Sequence, residues 1–158
     1  CTNYIRRTDR TFDQMVQAAR SGKQNIVEGC AASSTSSKSE IRLINVAKAS
    51  LMELLEDYKD YLRVNGHRQW EMDSVEMSAM RELGKTHNDS EFFMNLARTR
   101  PPQTIANMVI VLIMQTDYLL FKQLQVLSEK FLEEGGFSER MARMRLQRRN
   151  LLDPKKRD

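Results

Sequence analysis

The run Ala32-Ser33-Ser34-Thr35-Ser36-Ser37 constrains this chain more than any other stretch. It is too polar for a core and too rich in hydroxyls for a helix interior, where Ser and Thr compete for backbone hydrogen bonds. Gln24-Asn25-Ile26-Val27-Glu28-Gly29 precedes it, and Ser37-Lys38-Ser39-Glu40 closes it with an S-x-x-E pattern. In such a box Ser37 accepts from the N–H of Glu40, and Glu40 reaches back to the N–H of Ser37. One helix is therefore expected to end between Gly29 and Ser33. A second starts at Ser37 and runs from Glu40 to Arg63 without a Gly or Pro. A helix, a short loop and a long helix make an antiparallel hairpin.

Periodicity agrees. Thr8 and Asp9 are N-cap candidates, and Phe12, Met15, Val16, Ala19, Gly22 and Ile26 then recur at helical spacing. Ala18, Ala19, Ser21 and Gly22 are small, so a neighbouring helix can approach closely. That contact offsets the cost of Gly22, about 1 kcal/mol relative to Ala. In the second helix Ile44, Ala47, Leu51, Leu54, Tyr58 and Leu62 form one stripe, flanked by Ile41, Leu43, Val46 and Leu55. Coverage of more than one face suits a bundle with a partner subunit, and Gly66 ends the helix as a C′ glycine.

From His67 to Arg100 the pattern weakens. A short helix is predicted from Ser74 to Leu83, broken by Gly84, and Asp89-Ser90 caps another turn carrying Phe92, Phe93 and Leu96. Arg100-Pro101-Pro102 ends one element and starts the next. Thr104 to Glu134 reads as a second long helix, apolar all round from Met108 to Met114. All-round apolarity predicts burial on every side, which in so short a chain suggests a subunit interface. Asn107 and Asp117 inside this helix require partners. Gly135-Gly136 ends it, and Ser138-Glu139 opens a last helix in which Met141, Met144, Leu146, Leu151 and Leu152 alternate with arginines before Pro154. The expected fold is all-α, an antiparallel up-down bundle of four-helix type with an extra basic C-terminal helix. The bundle spans 1–136 and the extension 137–158.

Charge is unevenly placed along the 158 residues. From Arg140 onward eight basic and two acidic residues give a formal +6, which leaves −2 for everything before. Arg140, Arg143, Arg145, Arg148 and Arg149 dominate that segment, and Arg20 and Lys23 add charge on the first helix. Guanidinium forks suit phosphate, so the functional reading is a nucleic-acid surface. The competing reading is a solvated helix that pairs with acidic protein surface. Cys1 and Cys30 make neither a metal pattern nor a disulfide framework. The longest wholly apolar run, Met108 to Met114, falls short of the roughly 18 residues of a membrane helix. A cytoplasmic protein with no membrane partner is expected.

Catalytic constellations are sparse. Glu53, Asp57 and Asp60 lie at i, i+4, i+7 on one helix face beside Glu56, but a di-metal bundle site also needs Glu-x-x-His. Neither His67 nor His87 follows a Glu at that spacing. A solvated or salt-bridged face is the alternative. Glu28 reads either as a general base or metal ligand, or as a structural carboxylate bonded to backbone or an Arg. Cys30 has no identifiable His partner and is expected as a small core residue. No cofactor is expected.

Ala18-Ala19-Arg20-Ser21-Gly22-Lys23-Gln24-Asn25-Ile26-Val27-Glu28-Gly29 resembles the "RA..S...NIAEG" signature of the bacterial four-helix-bundle proteins encoded in intervening sequences of 23S rRNA genes. Asn25, Glu28 and Gly29 are its motif residues. Ser39-Glu40 followed by Val46-Ala47-Lys48-Ala49-Ser50-Leu51-Met52-Glu53-Leu54 resembles that family's "S..E....L.IA.GSL.EL" helix, with Ala49 where Gly is usual and Val27 where Ala is usual. The resemblance covers roughly Arg10 to Leu62, and Ile105 to Leu120 more loosely. The segment from Gly135 looks like the C-terminal extension of one subgroup. The resemblance implies a bundle that assembles into a ring, a pentamer, without enzyme activity. Relatives include accessory proteins of diversity-generating retroelements, which bind nucleic acid and a reverse transcriptase through basic surfaces. The expectation is thus a non-enzymatic homo-oligomer that binds RNA or DNA, RNA favoured, through an Arg-rich surface. The alternative is a scaffold whose basic tail pairs with a protein partner or a neighbouring subunit.

Overall fold

The computed structural model describes residues 10–152, which form α1 (Arg10–Ala32), α2 (Ser37–Val64), α3 (Val75–Thr86), α4 (Ser90–Arg98), α5 (Pro102–Glu134) and α6 (Phe137–Leu152). Among the described residues there is no strand, and the chain is all-α. The expected N-cap at Thr8 or Asp9 and the basic end after Pro154 lie outside them.

The serine run breaks the chain where expected, but the cap is shifted by one residue. Ser36, not Ser37, holds the extended N-cap geometry, and its side chain accepts from the N–H of Ser39 at 3.2 Å. Glu40 is therefore no box partner. It lies on the Ile44–Ala47 stripe and is carried with it into the packed side, 6% exposed. Gly66 ends α2 with φ +65, and Gly135 ends α5 with φ +74 and ψ 179. Both are backbone states that Gly enters without a Cβ clash.

α1 and α2 pack antiparallel at close range. A Cβ on Gly22 would lie 3.1 Å from Leu51, and one on Gly29 the same distance from Ile44. As numbers rise on α1 they fall on α2. The Ser21 and Ser50 hydroxyls meet at 2.8 Å between the two helices. α5 then packs antiparallel on α2, with Leu62 and Ala106 in one cluster and Ile44 and Leu120 in another. The three long helices run up, down and up around Met15, Ala18, Leu54, Leu55, Ile110 and Ile113. Each large apolar side chain buried here contributes on the order of 1.5–3 kcal/mol.

α3 and α4 cover the other side of α5. Met77 and Met80 pack on Met108 and Val111, with Trp70, Leu83, Phe93 and Leu96 around them. This corrects the reasoning that the apolar turns of α5 need a partner subunit: α2 on one side and α3 with α4 on the other bury them within one chain. It also corrects the break expected at Gly84, which lies inside α3. A Cβ there would stand 2.2 Å from Gln115 Oε1 on α5, so the glycine admits a close side chain rather than ending a helix. Gln115 Nε2 donates to the Arg81 carbonyl at 2.9 Å.

Asn107 and Asp117 have the partners their positions demand. Asn107 Oδ1 accepts from the Trp70 N–H at 2.7 Å, and its Nδ2 donates to the carbonyls of Arg68 and Gln103 at 3.0 and 2.9 Å. Lys48 Nζ meets Asp117 Oδ1 at 2.5 Å across the α2–α5 contact. By length and composition α5 contains an 18-residue window apolar enough to cross a membrane, more than its longest unbroken apolar run suggests. Its apolar residues from Met108 to Met114 pack on α2 and α3, whereas Tyr118, Leu119 and Phe121 further along are exposed, and the Asp117–Lys48 pair falls in the same helix.

Candidate nucleic-acid interface

α6 follows Gly135 and starts with Glu139 Oε2 accepting from the Gly136 N–H at 2.7 Å. It belongs to none of the extensively packed helix pairs, which are α1 with α2, α2 with α5 and α3 with α5. Arg143, Arg145, Arg148 and Arg149 are exposed, and Arg140 is half-buried. Arg145, Arg148 and Arg149 form no ion pair among the described residues. At 3.6 residues per turn the arginines do not share one face. Arg140 and Arg143 lie on one side, Arg145 and Arg149 on another, and Arg148 between Met141 and Met144. An extended anion therefore meets two or three of them at once.

Arg20 and Lys23 are exposed on α1 and border a shallow groove of about 460 Å³ with Ser21 and Gln24. The extensive helix contacts do not join this second basic surface to α6.

The motif residues split by role. Gly29 is buried against Ile44, where only a missing side chain allows the approach. Asn25 Nδ2 donates to the Ser21 carbonyl at 2.9 Å and lies 3.3 Å from the Ser21 hydroxyl, which ties it to the Ser21–Ser50 contact. Glu28 is exposed and accepts from Gln24 Nε2 at 2.8 Å, not from an Arg or the backbone as expected. Cys30 is exposed rather than a core residue, because it lies about a quarter turn round α1 from the packed face of Gly22 and Gly29. His87 stacks on Phe92 with 3.9 Å between ring centroids, and His67 tilts against Tyr61 at 6.2 Å.

The carboxylates of α2 are partly salt-bridged. Glu56 pairs with Lys59 at 2.8 Å and Asp60 with Arg63 at 2.8 Å. Glu53 and Asp57 have no ion pair among the described residues. Burial first, then the charges of Asp60 and Glu53, pushes the Asp57 carboxyl above its ordinary 3.8. Among the described residues no three His, Cys, Asp or Glu side chains gather as a metal-ligand set. Glu53, Glu56 and Asp57 instead border an open groove of about 800 Å³ between α1 and α2. The sequence reading missed this groove. Its signal was the polar stripe Gln14, Gln17, Ser21 on α1 facing Ala49 and Ser50, a face too polar for a core and too small to fill one.

Fold and surface together define an all-helical protein with three long packed helices and an arginine-bearing C-terminal helix. Compared with protein-family models, curated proteins and solved structures, the chain gives no match.

Proposed function

We propose that this chain is a non-enzymatic, oligomeric bundle protein that binds nucleic acid, RNA favoured over DNA, through the arginines of α6, with Arg20 and Lys23 as a second basic surface. The observation that carries the reading is α6 itself: five arginines against one acid between Ser138 and Asn150, on a helix held by no extensive contact. A four-helix, up-down arrangement is part of the proposal, with α1, α2 and α5 as three antiparallel members. So is assembly into a ring, with a pentamer as the favoured number. Apolar side chains left exposed on the second half of α5, among them Tyr118, Leu119 and Val126, support association.

Phosphate contacts release counterions, so affinity falls with salt by a slope of about −0.7 per contact for single strands. Two or three arginines per engaged helix predict a slope near −2. Titration of labelled RNA and DNA in a salt series tests this, using the intact chain and one truncated after Gly136. Binding that vanishes with the truncation, and steepens with falling salt in the intact chain, is expected. Affinity indifferent to salt, or retained by the truncated chain, refutes the assignment to α6.

A further inference from the structure

The helix and the groove described above are complementary in charge and in pattern. On α6, Met141, Met144, Arg145 and Arg148 lie at i, i+3, i+4, i+7 and share one face. On α2, Ala49, Met52, Glu53 and Glu56 repeat the same spacing with acids where α6 has arginines. Met144 is 61% exposed and Met52 40% exposed, so each apolar face lacks cover. Glu56 is held by Lys59, and among the described residues its neighbour Asp57 forms no ion pair, nor do Glu53, Arg145 and Arg148.

The chain's own α6 does not reach this groove. The Lys48–Asp117 contact sets α2 against α5. From Asp117 to the end of α5 is about 26 Å at 1.5 Å per residue, and Glu53 lies about 8 Å the other way from Lys48. Roughly 33 Å must be retraced along the bundle, whereas Arg145 and Arg148 stand only about 12–17 Å into α6.

We propose that the α1–α2 groove receives α6 of a second copy of this chain, Met141 and Met144 seated over Met52, with Arg145 and Arg148 paired to Glu53 and Asp57. The contact is head-to-tail, since helix and groove are different patches, and it propagates into a ring or an open chain according to its rotation. Arg140 and Arg143 lie off this four-residue face, so the docking does not use them. The proposal therefore stands independently of the RNA reading.

Disulfide trapping tests it. In the 158-residue chain with Cys1→Ser and Cys30→Ser, one copy carries Met52→Cys and another Met144→Cys. The two are mixed after nuclease treatment, at low salt and under mild oxidation. A cross-linked dimer is expected well above the control pair, Met52→Cys with Val75→Cys, Val75 being 81% exposed. Glu53→Arg with Asp57→Arg in the groove copy should cut the yield about tenfold, and Arg145→Glu with Arg148→Glu in its partner should restore it. Circular dichroism checks that each variant keeps its helix content. Yield no higher than the control, indifference to charge reversal, or a single chain carrying both cysteines that closes only on itself overturns the proposal. No nucleic acid is present, so failure here leaves the RNA reading untouched, and loss of RNA binding leaves the docking untouched.

Discussion

Asn107→Ala is the sharpest test of how the short helices are held to the long ones. Asn107 is 2% exposed and bridges α5 to the segment before α3. The substitution removes the acceptor of the Trp70 N–H at 2.7 Å and the donor to the Arg68 carbonyl at 3.0 Å. The Gln103 carbonyl at 2.9 Å keeps its helical partner, so its loss counts for little. A polar group left without a partner costs about 1–3 kcal/mol. The Trp70 N–H is part-buried and bears most of this, while Arg68 is exposed and water can reach its carbonyl. The expected loss is about 1–3 kcal/mol, or roughly 2–12 °C in Tm for a chain of this size. Urea unfolding gives two readouts, far-ultraviolet circular dichroism for the whole chain and the fluorescence of Trp70, the single tryptophan. Asn107→Asp is the control. It keeps the acceptor for Trp70 but faces the Arg68 carbonyl with a carboxylate, so it should also destabilise. A shift below about 0.5 kcal/mol for Asn107→Ala, with both probes coincident with wild type, would refute the reasoning, because ordinary surface substitutions fall in that range.

Other outcomes follow from the same structure. Gly84→Ala drives a Cβ to 2.2 Å from Gln115 Oε1, which its Arg81 hydrogen bond holds in place. A loss of about 1–3 kcal/mol is expected in urea melts, and adding Gln115→Ala should recover much of it. If the double variant is no better than the single, the clash is not the cause. Asp57 has its folded pKa raised above 3.8, so the folded state holds that proton to higher pH than the unfolded chain does. Its contribution to stability therefore declines as pH rises from 3.8 through the raised value, and the ionised form is a liability at neutral pH. Asp57→Asn should raise the unfolding midpoint at neutral pH and give no such gain below 3.8; an equal gain at both would point to packing instead of charge. Arg140→Gln with Arg143→Gln and Arg149→Gln should flatten the salt slope of RNA binding by about 2, measured by fluorescence anisotropy. An unchanged slope would place the phosphate contacts elsewhere.

What local chemistry controls was legible in the sequence. The serine run had to interrupt the helices because hydroxyls favour caps over helix interiors. The α2 stripe, the α1 stripe except for Ala19, which is exposed while Ala18 is buried, the stop at Gly66, the cap at Asp89 and the span of α5 followed from spacing, capping and backbone freedom, each of which acts within a few residues. Even there the cap moved from Ser37 to Ser36, since neighbouring serines offer nearly equal acceptors and packing chooses between them. What lies between elements was decided only by the tertiary structure. Gly84 looks like a helix breaker in sequence, yet its role is set by Gln115, thirty-one positions away. The apolar turns of α5 look like a subunit interface until α3 and α4 are seen to cover them. Cys30 looks like core until α1 turns it outward. The acidic groove and its match to α6 appear in no single stretch, because they need α1, α2 and α6 placed in space. Propensity and capping are local free energies, and a chain states them in order. Which apolar face meets which, and which charge is left without a partner, depends on contacts among residues far apart in sequence, and only packing settles those.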